Sequence, residues 1–212
     1  LIGLYKSLLK YYGKQNWWSQ NYNFNPKEWE ICVGAILTQN TNWKNVEKAL
    51  LSLKNSNCVS PLDILKIKNK KLEPLIRSSG FYKQKTEKLK ALSKFITKFN
   101  TFEKFIKEVK REELLQVKGI GNETADSILL YACNKPYFVI DSYTKRLCDK
   151  LNIKLRDKTK YDDYRSFFEN NIPKDIEIYK EFHALIVRFG KDKFKEIQSK
   201  TDSYRNTKVY KY

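Results

Sequence analysis

Apolar residues recur every three or four positions along most of the chain, which is the spacing that buries one face of an α-helix. Two clear examples run from Trp29 to Leu37 and from Leu89 to Phe99. Glycines at 80, 119 and 121 separate periodic segments, as turns require. The pattern predicts helices over residues 26–37, 43–53, 72–77, 83–99, 102–109, 111–116, 122–133, 142–151, 161–170 and 175–195.

One apolar run breaks this period. Residues 137–140 read Tyr-Phe-Val-Ile, which is typical of a strand, but the chain offers no second run of this kind to pair with it. We therefore expect a buried extended connector at this point. The predicted fold class is all-α.

Composition adds a strong charge imbalance. The chain has 212 residues, with 42 Lys and Arg against 24 Asp and Glu, and its formal charge is +18. Such a charge favours a polyanionic partner such as nucleic acid. Lysines spread over a solvated surface would give the same total, so charge alone does not decide the partner.

A secreted or membrane protein and a protein with a cysteine-bound metal or iron–sulfur cluster are both disfavoured. The N-terminal segment is apolar at helical spacing, but Lys6 and Lys10 interrupt it and no cleavage site follows, so we expect neither a signal peptide nor a membrane span. The cysteines at 32, 58, 133 and 148 lack the close spacing of metal or iron–sulfur sites. We expect reduced thiols in a cytoplasmic protein with no metal and no cluster.

A helix, a turn with two glycines and a second helix are predicted over residues 114–125. Gly119 and Gly121 let the backbone approach an anion, and the N–H groups that open the second helix point toward it. Lys118 adds a positive charge beside them. The segment suits a phosphate, although ordinary helix pairs also use such turns.

This segment resembles the helix-hairpin-helix motif, and other blocks extend the resemblance to the DNA glycosylases related to endonuclease III. Residues 139–143, Val-Ile-Asp-Ser-Tyr, are similar to the apolar pair and catalytic aspartate that follow the hairpin in that family. Residues 36–41 resemble the segment whose glutamine fills the gap left by an extruded base. Residues 80–85 resemble the segment that carries an apolar wedge. The blocks stand in the family's order and spacing.

The resemblance implies a role for each block. Asp141 would stabilise positive charge on the sugar, and Gln39 would hydrogen-bond the orphaned partner base. Phe81, with Tyr82 beside it, would fill the base stack. The alternatives are a helix N-cap for Asp141, a helix end for Gln39 and a core position for Phe81.

The resemblance also implies an architecture and a partner. We expect two helical lobes with a DNA-binding cleft between them: residues 26–136 form a barrel lobe that contains the hairpin, and residues 1–25 with 137–212 form the second lobe. The expected partner is double-stranded DNA with a damaged base, bound by a monomer in the cytoplasm or nucleoid. By resemblance to related enzymes, a monovalent cation is also expected as a candidate ligand of the hairpin.

Departures from the family narrow the reaction. Glu123 stands where bifunctional members carry a nucleophilic lysine, and a carboxylate cannot form the Schiff base that a lyase needs. Residues 34–36 read Gly-Ala-Ile where the adenine-specific branch has a glutamate, and no four-cysteine cluster follows Cys148. With the pair Trp17 and Trp18, these departures resemble the small bacterial 3-methyladenine glycosylases that lack the cluster.

We therefore expect a monofunctional glycosylase of base excision repair whose aromatic pocket holds an alkylated purine by cation–π attraction. Trp43 and either Trp17 or Trp18 would stack on the base, and Glu123 and His183 are further pocket candidates. The alternatives are buried structural positions for the tryptophans and His183, and a solvated position in the first helical turn for Glu123. Removal of uracil or a mismatched pyrimidine is the main alternative. A bifunctional glycosylase and lyase, or a DNA-binding module without catalysis, would also fit parts of the pattern, although Asp141 argues against the module.

Overall fold

The computed structural model describes residues 1–18 and 22–207, with side-chain positions as far as residue 193. Within these residues the chain is helical and has no strand, which confirms the predicted fold class. The α-helices are α1 (Ile2–Tyr12), α2 (Lys27–Leu37), α3 (Trp43–Asn55), α4 (Pro61–Lys66), α5 (Asn69–Leu75), α6 (Tyr82–Ile96), α7 (Phe102–Glu108), α8 (Arg111–Leu115), α9 (Asn122–Ser127), α10 (Ser142–Lys150), α11 (Tyr161–Asn171) and α12 (Ile176–Thr207).

Shorter helical turns complete the list of elements. Single turns of 3₁₀-helix follow α5 and α6, at Arg77–Ser79 and Thr97–Phe99, and a π-helical turn, Ile128–Ala132, continues α9. The sequence pattern had missed α4 altogether and had placed α5 about three residues too late. None of the described helices has the length and apolarity of a membrane span.

The described chain forms two compact units. The first unit combines Leu1–Trp17 with the described residues from Phe138 onward. Its core is aromatic: the ring of Phe138 stacks on Phe168 with 4.5 Å between centroids, and Phe182 meets both rings at an angle. Helices α1 and α10 pack against α12 within this unit.

The connector before α10 lies in this first unit, and its structure agrees with the prediction. Phe138, Val139 and Ile140 are buried without being part of a sheet. Side chains take the place of a partner strand, because Phe138 N donates to Glu169 Oε1 at 2.9 Å and Ile140 N donates to the Tyr161 hydroxyl at 3.1 Å.

The second unit comprises Trp18–Tyr137 and is built around α2. Every residue of α2 from Trp29 to Leu37 is buried, as expected for a helix enclosed on all sides. Helices α3 and α6 and the π-helical turn pack against it. Cys32, Cys58 and Cys133 of this unit, like Cys148 of the first unit, are buried, unbonded thiols.

A buried ion pair joins the two helices of the hairpin in this unit. Arg111 at the start of α8 donates to both carboxylate oxygens of Asp126 in α9, at 2.6 and 3.3 Å, and also to Asn122 Oδ1 at 3.0 Å. Both charged side chains are almost wholly buried. The planar guanidinium therefore fixes α9 relative to α8 across the turn.

Removing one member of this pair should cost more than removing both. Arg111→Leu leaves the Asp126 carboxylate without its guanidinium, so we expect the free energy of unfolding to fall by about 3–5 kcal/mol. The double variant Arg111→Leu with Asp126→Leu should lose clearly less, because two apolar side chains can pack together. Urea unfolding of both variants measures the difference. Equal losses in the single and double variants would contradict a buried ion pair.

Candidate functional site

The hairpin turn lies between α8 and α9. Gly119 has φ of +86°, a conformation that side chains disfavour, and Gly121 is the N-cap of α9 in an extended conformation. Lys118, Gly119 and Gly121 are exposed, so the turn presents its backbone and one positive charge to solvent. This geometry is compatible with the phosphate contact expected from the sequence.

Gln39 follows α2 and reaches the hairpin. Its Nε2 donates to Thr124 Oγ1 at 2.9 Å and approaches the carbonyl oxygen of Gly119 at 3.4 Å. Its Oε1 accepts a hydrogen bond from Lys88 Nζ at 2.5 Å. The structure thus brings together the Gln39 segment and the hairpin, which the sequence identified separately, through the hydrogen bond from Gln39 to Thr124. Lys88, which the sequence analysis did not single out, joins Gln39 to α6.

A buried lysine holds the segments that carry Gln39 and Phe81. Lys85 in α6 is 1% exposed, and its Nζ donates to the carbonyl oxygens of Leu37, at 2.8 Å, and Ser79, at 2.6 Å. Leu37 is the last residue of α2, and Ser79 directly precedes the turn at Gly80. Burial, together with the charge of Lys88, lowers the pKa of Lys85 from 10.5 to about 8.

Phe81 is an exposed aromatic residue on a strained backbone. It is 61% exposed and has φ of +45° directly before α6, so it is not the core residue that the alternative interpretation required. Tyr82, the first residue of α6, is half-buried with the Arg77 guanidinium 5.9 Å from its ring centroid. A non-glycine residue held in this conformation with its ring in solvent suggests a role outside folding.

Three aromatic side chains of the second unit form a group on α2. The Trp18 ring meets Trp43 edge to face at 5.1 Å between centroids, and the tilted Tyr131 ring lies 5.4 Å from the Trp18 ring. Gly34 makes this possible, because a Cβ at that position would be only 2.6 Å from Trp18 Cζ3. Trp43 is 36% exposed. The buried Trp18 Nε1 has no hydrogen-bond partner among the described residues.

Asp141 lies in the first unit and caps α10. Its Oδ1 accepts hydrogen bonds from the backbone N and the hydroxyl of Thr144, at 2.8 and 2.9 Å. Its Oδ2 is 3.8 Å from His183 Nε2, an electrostatic contact rather than a direct hydrogen bond. Burial raises the pKa of Asp141, but His183 and Thr144 outweigh it and hold the pKa below its usual value. The carboxylate is therefore ionised at neutral pH.

His183 has an aromatic neighbour in the same unit. Trp17 meets the buried His183 ring edge to face at 5.6 Å, and Lys191 Nζ lies 5.9 Å from the Trp17 ring centroid. Although Trp17 and Trp18 are adjacent in sequence, they belong to different clusters: Trp17 contacts His183, and Trp18 contacts Trp43.

Glu123 is exposed in the first turn of α9, where the helix dipole favours a carboxylate. Glu123 stands where a lyase is expected to carry its nucleophilic lysine, so this position has a carboxylate and not an amine. Among the described residues, no cluster of His, Cys, Asp or Glu side chains could hold a metal ion. The monovalent cation expected at the hairpin stays a prediction.

Residues 33–174, which include the second half of α2, the hairpin and Asp141, match the HhH-GPD superfamily of base excision DNA repair proteins. The chain belongs to this superfamily. The hairpin is the motif that gives the superfamily the first part of its name, and the enzyme class follows: the chain is a DNA N-glycosylase of base excision repair.

Three relatives of this glycosylase are informative. A Methanocaldococcus jannaschii protein, provisionally named a DNA repair glycosylase, is 48% identical over 89% of this chain and 86% of its own length. H. pylori 3-methyladenine DNA glycosylase, whose crystal structure contains 1,N6-ethenoadenine, has a TM-score of 0.76 and 38% identity over 91% of this chain and 96% of that one. The thymine/uracil-DNA glycosylase of Pyrobaculum aerophilum is 24% identical over 77% of this chain and 70% of its own length.

The lowered pKa of Lys85 makes the stability of this glycosylase depend on pH. The folded state releases the Lys85 proton near pH 8 and the unfolded state near 10.5, so the unfolded state binds more protons between these values. Relative to Lys85→Met, the native chain should gain up to about 3 kcal/mol of unfolding free energy across that interval and nothing below it. Urea unfolding at several pH values tests this. A constant difference between the two proteins would contradict it.

The strained, exposed Phe81 is expected to contribute to activity and not to the stability of the fold. In Phe81→Gly the positive φ costs little, so we expect the free energy of unfolding to stay constant or rise by up to about 1 kcal/mol. Excision from duplex DNA should fall about tenfold or more because the stacking side chain is lost. Phe81→Leu, which keeps an apolar wedge, serves as the control and should retain more activity. A large loss of stability in Phe81→Gly would instead indicate a packing role.

Proposed function

We propose that this enzyme is a monofunctional glycosylase that releases a cationic alkylated purine, such as 3-methyladenine, from duplex DNA. The observation that carries the proposal is the aromatic group formed by Trp18, Trp43 and Tyr131 beside Gly34. Aromatic faces attract a cationic base through their π electrons, and an ordinary neutral base gains less from them. The group therefore supplies selectivity for the damaged base.

The chemistry of such a base fits the charge state of Asp141. A purine that carries a positive charge leaves its sugar as a neutral molecule, so the reaction needs no strong general acid. It does need a negative group near the sugar, where positive charge develops. Asp141, with its lowered pKa, is ionised and suits this role, while its Oδ1 also caps α10. Its cap and its catalytic role are compatible.

Glu123 supports the monofunctional part of the proposal. A lyase forms a covalent Schiff base between an amine and the sugar, and the carboxylate of Glu123 cannot do so. The product should then be an intact strand with an abasic site. The H. pylori relative, named for 3-methyladenine, supports the choice of substrate.

Removal of uracil or a mismatched pyrimidine is the second candidate. Uracil leaves as an anion and would gain from hydrogen-bond donors aimed at its oxygens. The buried Trp18 Nε1 is one such donor, and the P. aerophilum relative is named for thymine and uracil. One donor is weaker support than the three aromatic rings, so we rank this candidate second.

Base release from defined DNA separates the candidates. The enzyme is incubated with DNA treated with a methylating agent and, separately, with a uracil-containing duplex, and free bases are measured by chromatography. We expect 3-methyladenine release, strand cleavage only after alkali, and no adduct after borohydride trapping. Uracil release without 3-methyladenine release would reverse the order of the candidates, and a trapped adduct would refute the monofunctional mechanism.

Two variants test Asp141 without removing its cap. Asparagine and serine both cap helices well, so Asp141→Asn and Asp141→Ser should keep the melting temperature close to that of the native enzyme. Both lack the negative charge, and we expect excision to slow by about a hundredfold or more while DNA binding persists. Near-native turnover in either folded variant would leave Asp141 with a capping role alone.

A further inference from the structure

The amide of Gln39 is held at both ends by the second unit. Lys88 in α6 donates to its oxygen at 2.5 Å, and its nitrogen donates to the Thr124 hydroxyl at 2.9 Å and approaches the Gly119 carbonyl at 3.4 Å. A long, partly exposed side chain would otherwise sample several rotamers. These contacts restrict it to one.

Lys88 also fixes which end of the amide faces which partner. An ammonium group has only donors, so the atom that faces Lys88 Nζ must be the amide oxygen. The two N–H groups of Gln39 consequently face Thr124 and Gly119 on the hairpin side. The hydrogen-bonding capacity left on this amide is the second acceptor position of Oε1.

The position of Lys88 depends in turn on a hairpin glycine. A Cβ built on Gly119 would lie 2.8 Å from both Cδ and Cε of Lys88, closer than such atoms can approach. The stem of Lys88 therefore occupies the space that any side chain at this position would need. Gly119 thus has two functions: it adopts a positive φ, and it seats the lysine that orients Gln39.

We propose that Lys88 is a positioning residue that presents the Gln39 amide in a single orientation to the orphaned base opposite the flipped nucleotide. This proposal rests on the proposed function only in assuming that Gln39 meets that base. Lys88 acts through Gln39 and not through the damaged base. The alternative for a lysine near a DNA-binding hairpin is a simple contact with a phosphate, which would strengthen binding to every duplex alike.

A pair of abasic duplexes separates these two roles without using any damaged base. One carries a tetrahydrofuran abasic analogue opposite thymine, and the other carries the analogue opposite a second analogue, so that no partner base is present. Dissociation constants are measured by fluorescence anisotropy at one salt concentration. The ratio of the two constants reports how much the enzyme gains from the partner base.

Lys88→Met is the decisive variant, because methionine keeps an unbranched stem over Gly119 but donates no hydrogen bond. We expect it to reduce the partner-base ratio by about threefold to tenfold, as for the loss of one hydrogen bond. Gln39→Ala should reduce the ratio to a similar extent. The double variant should lose no more than Gln39→Ala, because Lys88 acts only through Gln39. Lys88→Arg keeps a donor and should restore part of the ratio.

Lys94→Met is the matched control. Lys94 lies on the same helix, is exposed and carries the same charge, so this variant should weaken both duplexes equally and leave the ratio unchanged. If Lys88→Met behaves like Lys94→Met, Lys88 is only an electrostatic contact and the proposal is wrong. Additive losses in the double variant, or a native ratio of one, would also overturn it.

The same preparations distinguish this proposal from the proposed substrate. If the native enzyme releases no methylated base but Lys88→Met still lowers the partner-base ratio selectively, the choice of alkylated purine fails and the role of Lys88 stands. If methylated bases are released normally and the Lys88→Met substitution leaves the ratio unchanged, the proposed substrate stands and the proposed role of Lys88 fails.

Discussion

The site is organised around one ammonium group buried in the second unit. Lys85 Nζ bridges the carbonyl oxygens of Leu37 and Ser79, which lie just before the segments that carry Gln39 and Phe81. Taking a lysine out of water is unfavourable, and these two acceptors offset part of that cost. One side chain therefore anchors both segments to α6, and neither can shift without disturbing the other.

Most helices could be predicted because apolar periodicity records which face is buried. The connector at Phe138–Ile140 could be recognised for the same reason, since a continuous apolar run without a partner must be buried by something else. Helix α4 was missed because its six residues are too short to show a period. Its start could nevertheless have been predicted from the capping box of Ser60 and Asp63, with Pro61 between them.

The candidate residues could be found from motif order, but the contacts between them could not. Nothing in the sequence links Lys88 to Gln39 or Thr124, because these residues meet only when α6 and the hairpin pack on the end of α2. The neighbouring Trp17 and Trp18 show the same limit. Their side chains belong to different clusters, and only the course of the backbone decides which one accompanies Trp43.

The π-helical turn at Ile128–Ala132 has an evolutionary consequence. Such a turn holds one residue more than a regular α-helix would, and losing it would rotate the following side chains by about 100° around the helix axis. Tyr131 would then leave the Trp18 ring, although no residue of the aromatic group had been replaced. Substitutions can exchange one ring for another gradually, whereas a deletion of three nucleotides can remove the contact between Tyr131 and Trp18 in one step.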